Sequence, residues 1–192
     1  MRNLITVLIL FSMTMMAQQS NSAPEPHHIK SDVLGENLGT YATNNPGEKC
    51  AAPNTALASQ LDSKGNGFCI VLGAQVFLSY ANVRLIYKNL EFNDSRLVQV
   101  MMTISHSDYD TLRDGLIAKF GEPSVRSKAD YQNRMGAHFS GDTLLWDNGV
   151  STVMVDEFGG NLDTTVLNFA MDDYLKEQLK RRDEAKKHPT DM

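Results

Sequence analysis

The chain has 192 residues, 42% of them hydrophobic and 21% charged, with a formal charge of −5 at neutral pH. An acidic balance with scattered Lys and Arg repels polyanions, so no nucleic-acid partner is expected. Beyond the N-terminal segment no apolar run reaches the roughly 20 residues of a spanning helix, so no transmembrane segment is expected in the mature chain.

The N-terminus has the three-part order of a secretory signal. Met1-Arg2-Asn3 is short and basic, Leu4 to Met16 is uncharged and mostly aliphatic, and Ala17-Gln18-Gln19-Ser20-Asn21-Ser22 is small and polar. The apolar run of about 13 residues is too short to span a bilayer. Residues 1–22 are therefore expected to be a cleaved signal peptide, with Ser20 and Ser22 as the small residues before the cut and cleavage after Ala17 as the alternative. No cysteine precedes Cys50, so a lipidated cysteine at the junction is excluded. The expected location is periplasmic or secreted. The remainder is long enough for one ordinary domain with its own core.

Residues 23–30, with Pro24 and Pro26 and no periodicity, are expected to be a flexible lead-in to a domain over 31–180. Leu34, Leu38 and Tyr41 lie at helical spacing before the stop Asn44-Asn45-Pro46-Gly47, which predicts a helix over 36–44. Phe68 to Leu72 is a compact apolar run, hence a buried strand, which Gly73 to Leu78 either continue or turn back. Val83, Leu85 and Tyr87 alternate with Arg84 and Lys88. After the turn Asn93-Asp94-Ser95, Val98, Val100, Met102 and Ile104 recur at period two, which completes a β-hairpin with one buried face. Ser107 is placed as N-cap of a helix over 108–120, whose stripe is Tyr109, Leu112, Leu116 and Phe120 and whose stop is Gly121 before Pro123. Leu144 to Trp146 and Val150 to Val155 flank Asp147-Asn148-Gly149 as a second hairpin. Leu162 to Ala170 is a further strand. A helix from about 172 carries one apolar face of Tyr174, Leu175 and Leu179, and a polar tail over 181–192 is expected to fray. Without regular strand–helix alternation the fold class is α+β: an antiparallel sheet of meander and hairpins with helices packed on one face, in a single domain.

Cys50 and Cys69 are the two cysteines, and an even count in an oxidising compartment predicts a disulfide. Closing that loop is worth roughly 3 kcal/mol in the chain-entropy model.

The pattern Tyr109-x-x-Leu112-x-x-x-Leu116-x-x-Lys119-Phe120-Gly121-Glu122-Pro123, followed by a strand carrying Trp146, resembles one found in small exported bacterial proteins of unknown function. Val33-Leu34-Gly35 through Cys50 is similar to the N-terminal part of the same group. At the level of fold the chain also resembles envelope-assembly lipoproteins and β-lactamase-inhibitor-type domains. These positions cap and pack helices, so the resemblance implies a fold and no activity. The missing lipid-attachment cysteine separates the chain from the lipoproteins.

Signatures of common chemistry are absent: no G-x-S-x-G, H-E-x-x-H, P-loop or dinucleotide fingerprint occurs. Asp62-Ser63-Lys64-Gly65-Asn66-Gly67 imitates the start of a calcium loop, but Lys64 occupies a ligand position and residue 73 is Gly where a bidentate Glu is required; a plain turn is expected. His27 and His28 are expected to be solvated, His106 to sit at a strand end beside Ser105 and Ser107, and the methionines to fill the core. The basic run Lys180-Arg181-Arg182 is read as a solvated helix face. Arg134, His138 and Asp142 combine cation, imidazole and carboxylate near the lone Trp146, which makes them the candidate surface site. The expected function is a non-enzymatic binding or protein–protein interaction module, with no cofactor and no metal, whose partner is a protein or small ligand of the cell envelope. The alternative is a small hydrolase or metal-handling protein centred on Arg134, His138 and Asp142.

Overall fold

The computed structural model of the chain describes residues 23–50, 61–72, 79–80, 83–132 and 136–187. The expected signal peptide, the segment after Cys50 that holds Pro53, the stretch Gly73 to Leu78 and the last five residues lie outside these. In chain order come strands β1 (His28–Ile29) and β2 (Asp32–Val33), helix α1 (Leu38–Asn44), strands β3 (Gly67–Leu72), β4 (Ser79–Tyr80), β5 (Val83–Asn93) and β6 (Arg96–Ser105), and a 3-10 turn at His106–Asp108. Then follow helix α2 (Tyr109–Phe120), strands β7 (Val125–Gln132), β8 (His138–Asp147), β9 (Ser151–Asp156) and β10 (Thr164–Met171), and helix α3 (Asp172–Lys187). The main sheet is antiparallel with strand order β3-β5-β6-β10-β9-β8-β7; β4 pairs with β5, and β1 with β2 form a separate small ribbon. The α+β class with an antiparallel sheet is thus the observed fold.

Strand register aligns the core in rows. Leu90, Val100, Phe169, Val153 and Trp146 lie opposite one another across five strands. Each is at most 3% exposed. From α2, Leu112 and Leu116 are fully buried against this face, and the Trp146 indole N–H donates to the Gly121 carbonyl at 2.8 Å. Gly121 itself takes φ 80°, a left-handed value that glycine adopts without penalty. The neighbouring row is Met102, Leu167, Val155 and Leu144, and its β5 member is Lys88.

Lys88 is completely buried. The alternation of Val83, Leu85 and Tyr87 predicts it on the solvent side with Arg84. A β-bulge overturns that reading: Leu85 faces Ile104 and Tyr87 faces Thr103, so two β5 residues advance against one on β6. One extra residue reverses every later side chain. Ile86 is left 47% exposed, Tyr87 moves to the outer face, and Lys88, Leu90 and Phe92 point inward.

The inward ammonium is met by the N-terminal segment. Asp32 from β2, Glu48 from the loop after α1, and the Tyr41 hydroxyl from α1 all contact it. The disulfide Cys50–Cys69 then ties the residue two places beyond Glu48 to β3. The segment is also threaded onto the end of the β5–β6 hairpin: the Gly35 N–H donates to the Leu97 carbonyl at 2.7 Å, and the Leu38 N–H to the Ser95 carbonyl at 2.8 Å. Residues 27–30 make contacts of their own there. The His27 ring packs edge-on to Phe120 at 5.0 Å, His28–Ile29 is a strand, and Ile29 is 1% exposed. Apolar burial and backbone pairing override the local absence of periodicity there.

Three further boundaries differ from expectation. Ser107 makes no cap: its hydroxyl meets that of Ser105 at 2.9 Å, and Asp108 precedes α2 without a side-chain cap bond. Strand β7 carries no apolar period, because every one of its residues is exposed or half-buried at the sheet edge. Helix α3 runs to Lys187, beyond the expected fraying point. The calcium-like sequence is a turn in which the Asp62 carboxylate accepts the Lys64 and Asn66 N–H groups, both at 2.8 Å.

Two outcomes follow for stability. Replacing Cys50 and Cys69 by Ser should cost about 2–4 kcal/mol, read as a fall of roughly 5–15 °C in Tm, while the protein still folds at low temperature. Lys88→Met leaves buried carboxyl groups without their cation, so it should cost about 3–5 kcal/mol at pH 7. Chemical denaturation measures both.

Candidate functional site

Of the three residues singled out by composition, Arg134 lies outside the described residues. His138 opens β8, exposed, with Nε2 3.3 Å from the Gln132 amide nitrogen. Asp142 is half-buried farther along the same strand and sits 3.8 Å from the Lys128 ammonium of β7. Four residues of extended chain separate His138 from Asp142 by about 13 Å, and they share no contact. The fold does not gather these two into one reactive set.

Asp142 belongs instead to a cluster where the start of α2 meets the β8–β9 strands. Its backbone N–H donates to the Glu157 carboxylate at 2.8 Å, and the other Glu157 oxygen lies 3.3 Å from His106 Nε2. His106 stacks on Phe158 at 4.8 Å and on Tyr109 at 6.3 Å. Phe158 lies over Gly141, where a Cβ would come within 2.5 Å of the ring, so only glycine admits this packing. Burial, then the Asp142 and Glu157 carboxylates, push the Tyr109 phenol up to about 12. Its hydroxyl is buried without a hydrogen-bond partner among the described residues. Ser105 and Ser107 bond each other rather than His106, so no Ser–His dyad forms.

His27 and His28 have different surroundings. His27 is half-buried, bonded through both its N–H and Nδ1 to the Ser151 hydroxyl at 2.7 and 2.8 Å, and burial lowers its pKa. His28 is exposed on β1. Among the described residues no group of three or more His, Cys, Asp and Glu side chains stands where it could hold a metal ion.

A more suitable concavity opens where α3 passes the end of the β5–β6 hairpin. It is a groove of about 370 Å³, with Phe92, Val98 and Met171 as apolar lining and Glu91, Arg96, Asp173, Tyr174, Glu177 and Arg181 as polar groups. The fold makes it in three steps. The two-residue turn Asp94-Ser95, with φ of 49° and 61°, closes the hairpin and sets Arg96 opposite Asn93. The Asp172 N–H donates to the Val150 carbonyl at 3.0 Å and its carboxylate accepts the Thr152 hydroxyl at 2.8 Å, which anchors the first turn of α3. The helix face bearing Tyr174, Gln178 and Arg181 then faces the hairpin across the gap.

Charges of both signs stand in that groove. Arg96 is exposed and its one side-chain hydrogen bond among the described residues is a 3.5 Å contact to the Gly35 carbonyl, whereas Arg181 is paired with Glu177 at 3.1 Å. Burial and the Glu91 carboxylate raise the Tyr174 phenol above its ordinary value. Such a lining can hold both ends of a dipolar molecule over an apolar floor. Of these residues the sequence reading names Val98, Tyr174 and Arg181, as a strand face, a helix core face and a solvated run. The remainder come together through tertiary packing of segments some eighty residues apart, which no local pattern signals.

Comparisons of the chain with protein-family models, with curated proteins and with solved structures find no match. The Tyr109 hydroxyl supplies a check on the cluster geometry. Since it is buried unpaired, Tyr109→Phe should leave stability unchanged or raise it by up to about 1 kcal/mol, where loss of a satisfied buried hydroxyl would lower it. Urea unfolding of the variant decides between the two.

Proposed function

We propose that the protein is exported to the bacterial periplasm and acts there as a non-enzymatic binding module, taking a short peptide segment of an envelope partner in the groove beside α3. The observation that carries this reading is the groove itself: its volume of about 370 Å³ lies in the range of small-ligand sites, and its apolar floor is rimmed by unlike charges. Arg96 offers a carboxylate contact, Glu91 and Asp173 offer contacts to an amine, and Phe92, Val98 and Met171 suit a side chain between them. The disulfide and the absence, among the described residues, of any helix long and apolar enough to cross a membrane are compatible with export. The alternative hydrolase or metal-handling reading needs Arg134, His138 and Asp142 to converge, and the separate partners of His138 and Asp142 give it no support.

A panel of free tripeptides tests the groove by thermal shift. A tripeptide present at about 100 times its Kd should stabilise by about 2.7 kcal/mol, which for a domain of this size is a Tm rise of roughly 5–10 °C. The rise should vanish in the Arg96→Ala, Arg181→Ala double variant. No response to any tripeptide, or an equal response in the variant, would contradict the assignment.

A further inference from the structure

We propose that the buried Lys88 node holds one more proton than its ordinary ionisation states supply, with the Glu48 carboxyl group neutral at neutral pH, so that the latch joining the N-terminal segment to the sheet is itself uncharged overall. The inference rests on hydrogen-bond geometry inside a sealed site and is independent of the binding reading above.

The count of hydrogens leads to it. Lys88 has three N–H groups and three acceptors: Asp32 Oδ1 at 2.8 Å, the Tyr41 oxygen at 2.9 Å, and Glu48 Oε1 in a short contact. All three hydrogens are thereby used. The Tyr41 hydroxyl stands 2.6 Å from Asp32 Oδ1 and 2.8 Å from Glu48 Oε2. A phenol has one hydrogen, so it can donate to one of these carboxyl oxygens and not to both. With both carboxylates ionised, one of the two contacts is a bare approach of lone pairs between buried oxygens.

One added proton resolves this, and Glu48 Oε2 can carry it. Asp32 Oδ1 already accepts from Lys88, so it suits the Tyr41 donor as well. Glu48 uses its two oxygens separately, Oε1 toward Lys88 and Oε2 toward Tyr41. A hydrogen on Glu48 Oε2 donates to the phenolic oxygen, which then accepts from Lys88 and Glu48 and donates to Asp32. Every contact becomes a hydrogen bond, and the charges sum to zero: one ammonium, one carboxylate, one neutral acid. Side-chain exposures of 0% for Lys88, 3% for Asp32 and 2% for Glu48 make a net buried charge costly, which favours the same state.

Among the described residues the groups facing Glu48 are Lys88 of β5, Asp32 of β2 and Tyr41 of α1. Burial raises the Glu48 pKa, Lys88 opposes that, and the Asp32 charge adds to it; the outcome is an upward shift. The sign for stability follows. The folded chain keeps a proton that the unfolded chain loses near its ordinary value of about 4.3. Glu48 therefore contributes its full stability below that pH, and the contribution is lost as pH rises toward the raised folded value.

Glu48→Gln tests the assignment, because an amide keeps an acceptor for Lys88 and a donor for Tyr41, as the neutral acid does, and adds one further N–H. The wild-type protein at pH 7 should show the infrared C=O stretch of a buried protonated carboxylic acid, and Glu48→Gln should lack it. The variant should melt close to the wild type below about pH 4, melt higher than the wild type at pH 7, where only the wild type must take up a proton to fold, and lose the part of the pH profile assigned to Glu48. Absence of the carboxylic-acid band from folded wild-type protein overturns the proposal, whether or not the variant folds. So does a band that persists unchanged in a folded Glu48→Gln protein.

Discussion

A lysine side chain in an apolar row of a β-sheet is the constraint around which this fold is arranged. Lys88 occupies the β5 position in line with Met102, Leu167, Val155 and Leu144, and it is fully buried. An unpaired ammonium there would cost several kcal/mol. The chain answers with Asp32, Tyr41 and Glu48, each from a different piece of the N-terminal segment. Positions of β2, α1 and the loop up to Cys50 are therefore set by one charge. A buried ion pair adds little net stability over an apolar replacement of the same shape, but removing one partner is expensive. Its value here is to fix where the segment docks.

Two other ties converge on the same segment. The disulfide joins Cys50 to Cys69, whose strand neighbour across the sheet is Leu90, two residues from Lys88. Backbone bonds from Gly35 and Leu38 reach the end of the β5–β6 hairpin. That hairpin end also receives Asn66, which accepts the Asp94 N–H at 2.9 Å, and it forms one wall of the groove beside α3. The latch and the groove thus share β5: Lys88 lies on its inner face, and Glu91, Phe92 and Asn93 line the opening three to five residues on.

Much of the sheet was legible because its strands bury one face each. The period-two run from Val98 to Ile104 and the stripe of Tyr109, Leu112 and Leu116 appear where the sequence pattern puts them. The Lys88 node was not read, although a trace of it is present: apolar residues occupy odd positions through Tyr87 and even positions from Leu90, a change of phase that marks a bulge. Strand β7 was missed because an exposed edge strand needs no apolar period. The groove was not legible at all, since Arg96 and Arg181 meet only after the hairpin and α3 are in place. The site suggested by composition joined residues that are close in sequence, yet extended backbone carries His138 and Asp142 apart.

The central claim is that the Lys88 node holds residues 28–50 to the sheet as part of one cooperative unit. Native-state hydrogen exchange on the wild type and on Lys88→Met measures it directly, through the Tyr41 and Asn45 amides, which are bonded to the Asn37 and Tyr41 carbonyls, against the Val100 amide in the core. In the wild type the α1 amides should exchange at rates approaching those of global opening. In Lys88→Met they should exchange much faster than Val100, because the segment opens while the sheet stays folded. If α1 and Val100 amides keep the same relative protection in both proteins, the segment is held by other contacts, and Lys88 is not what docks it.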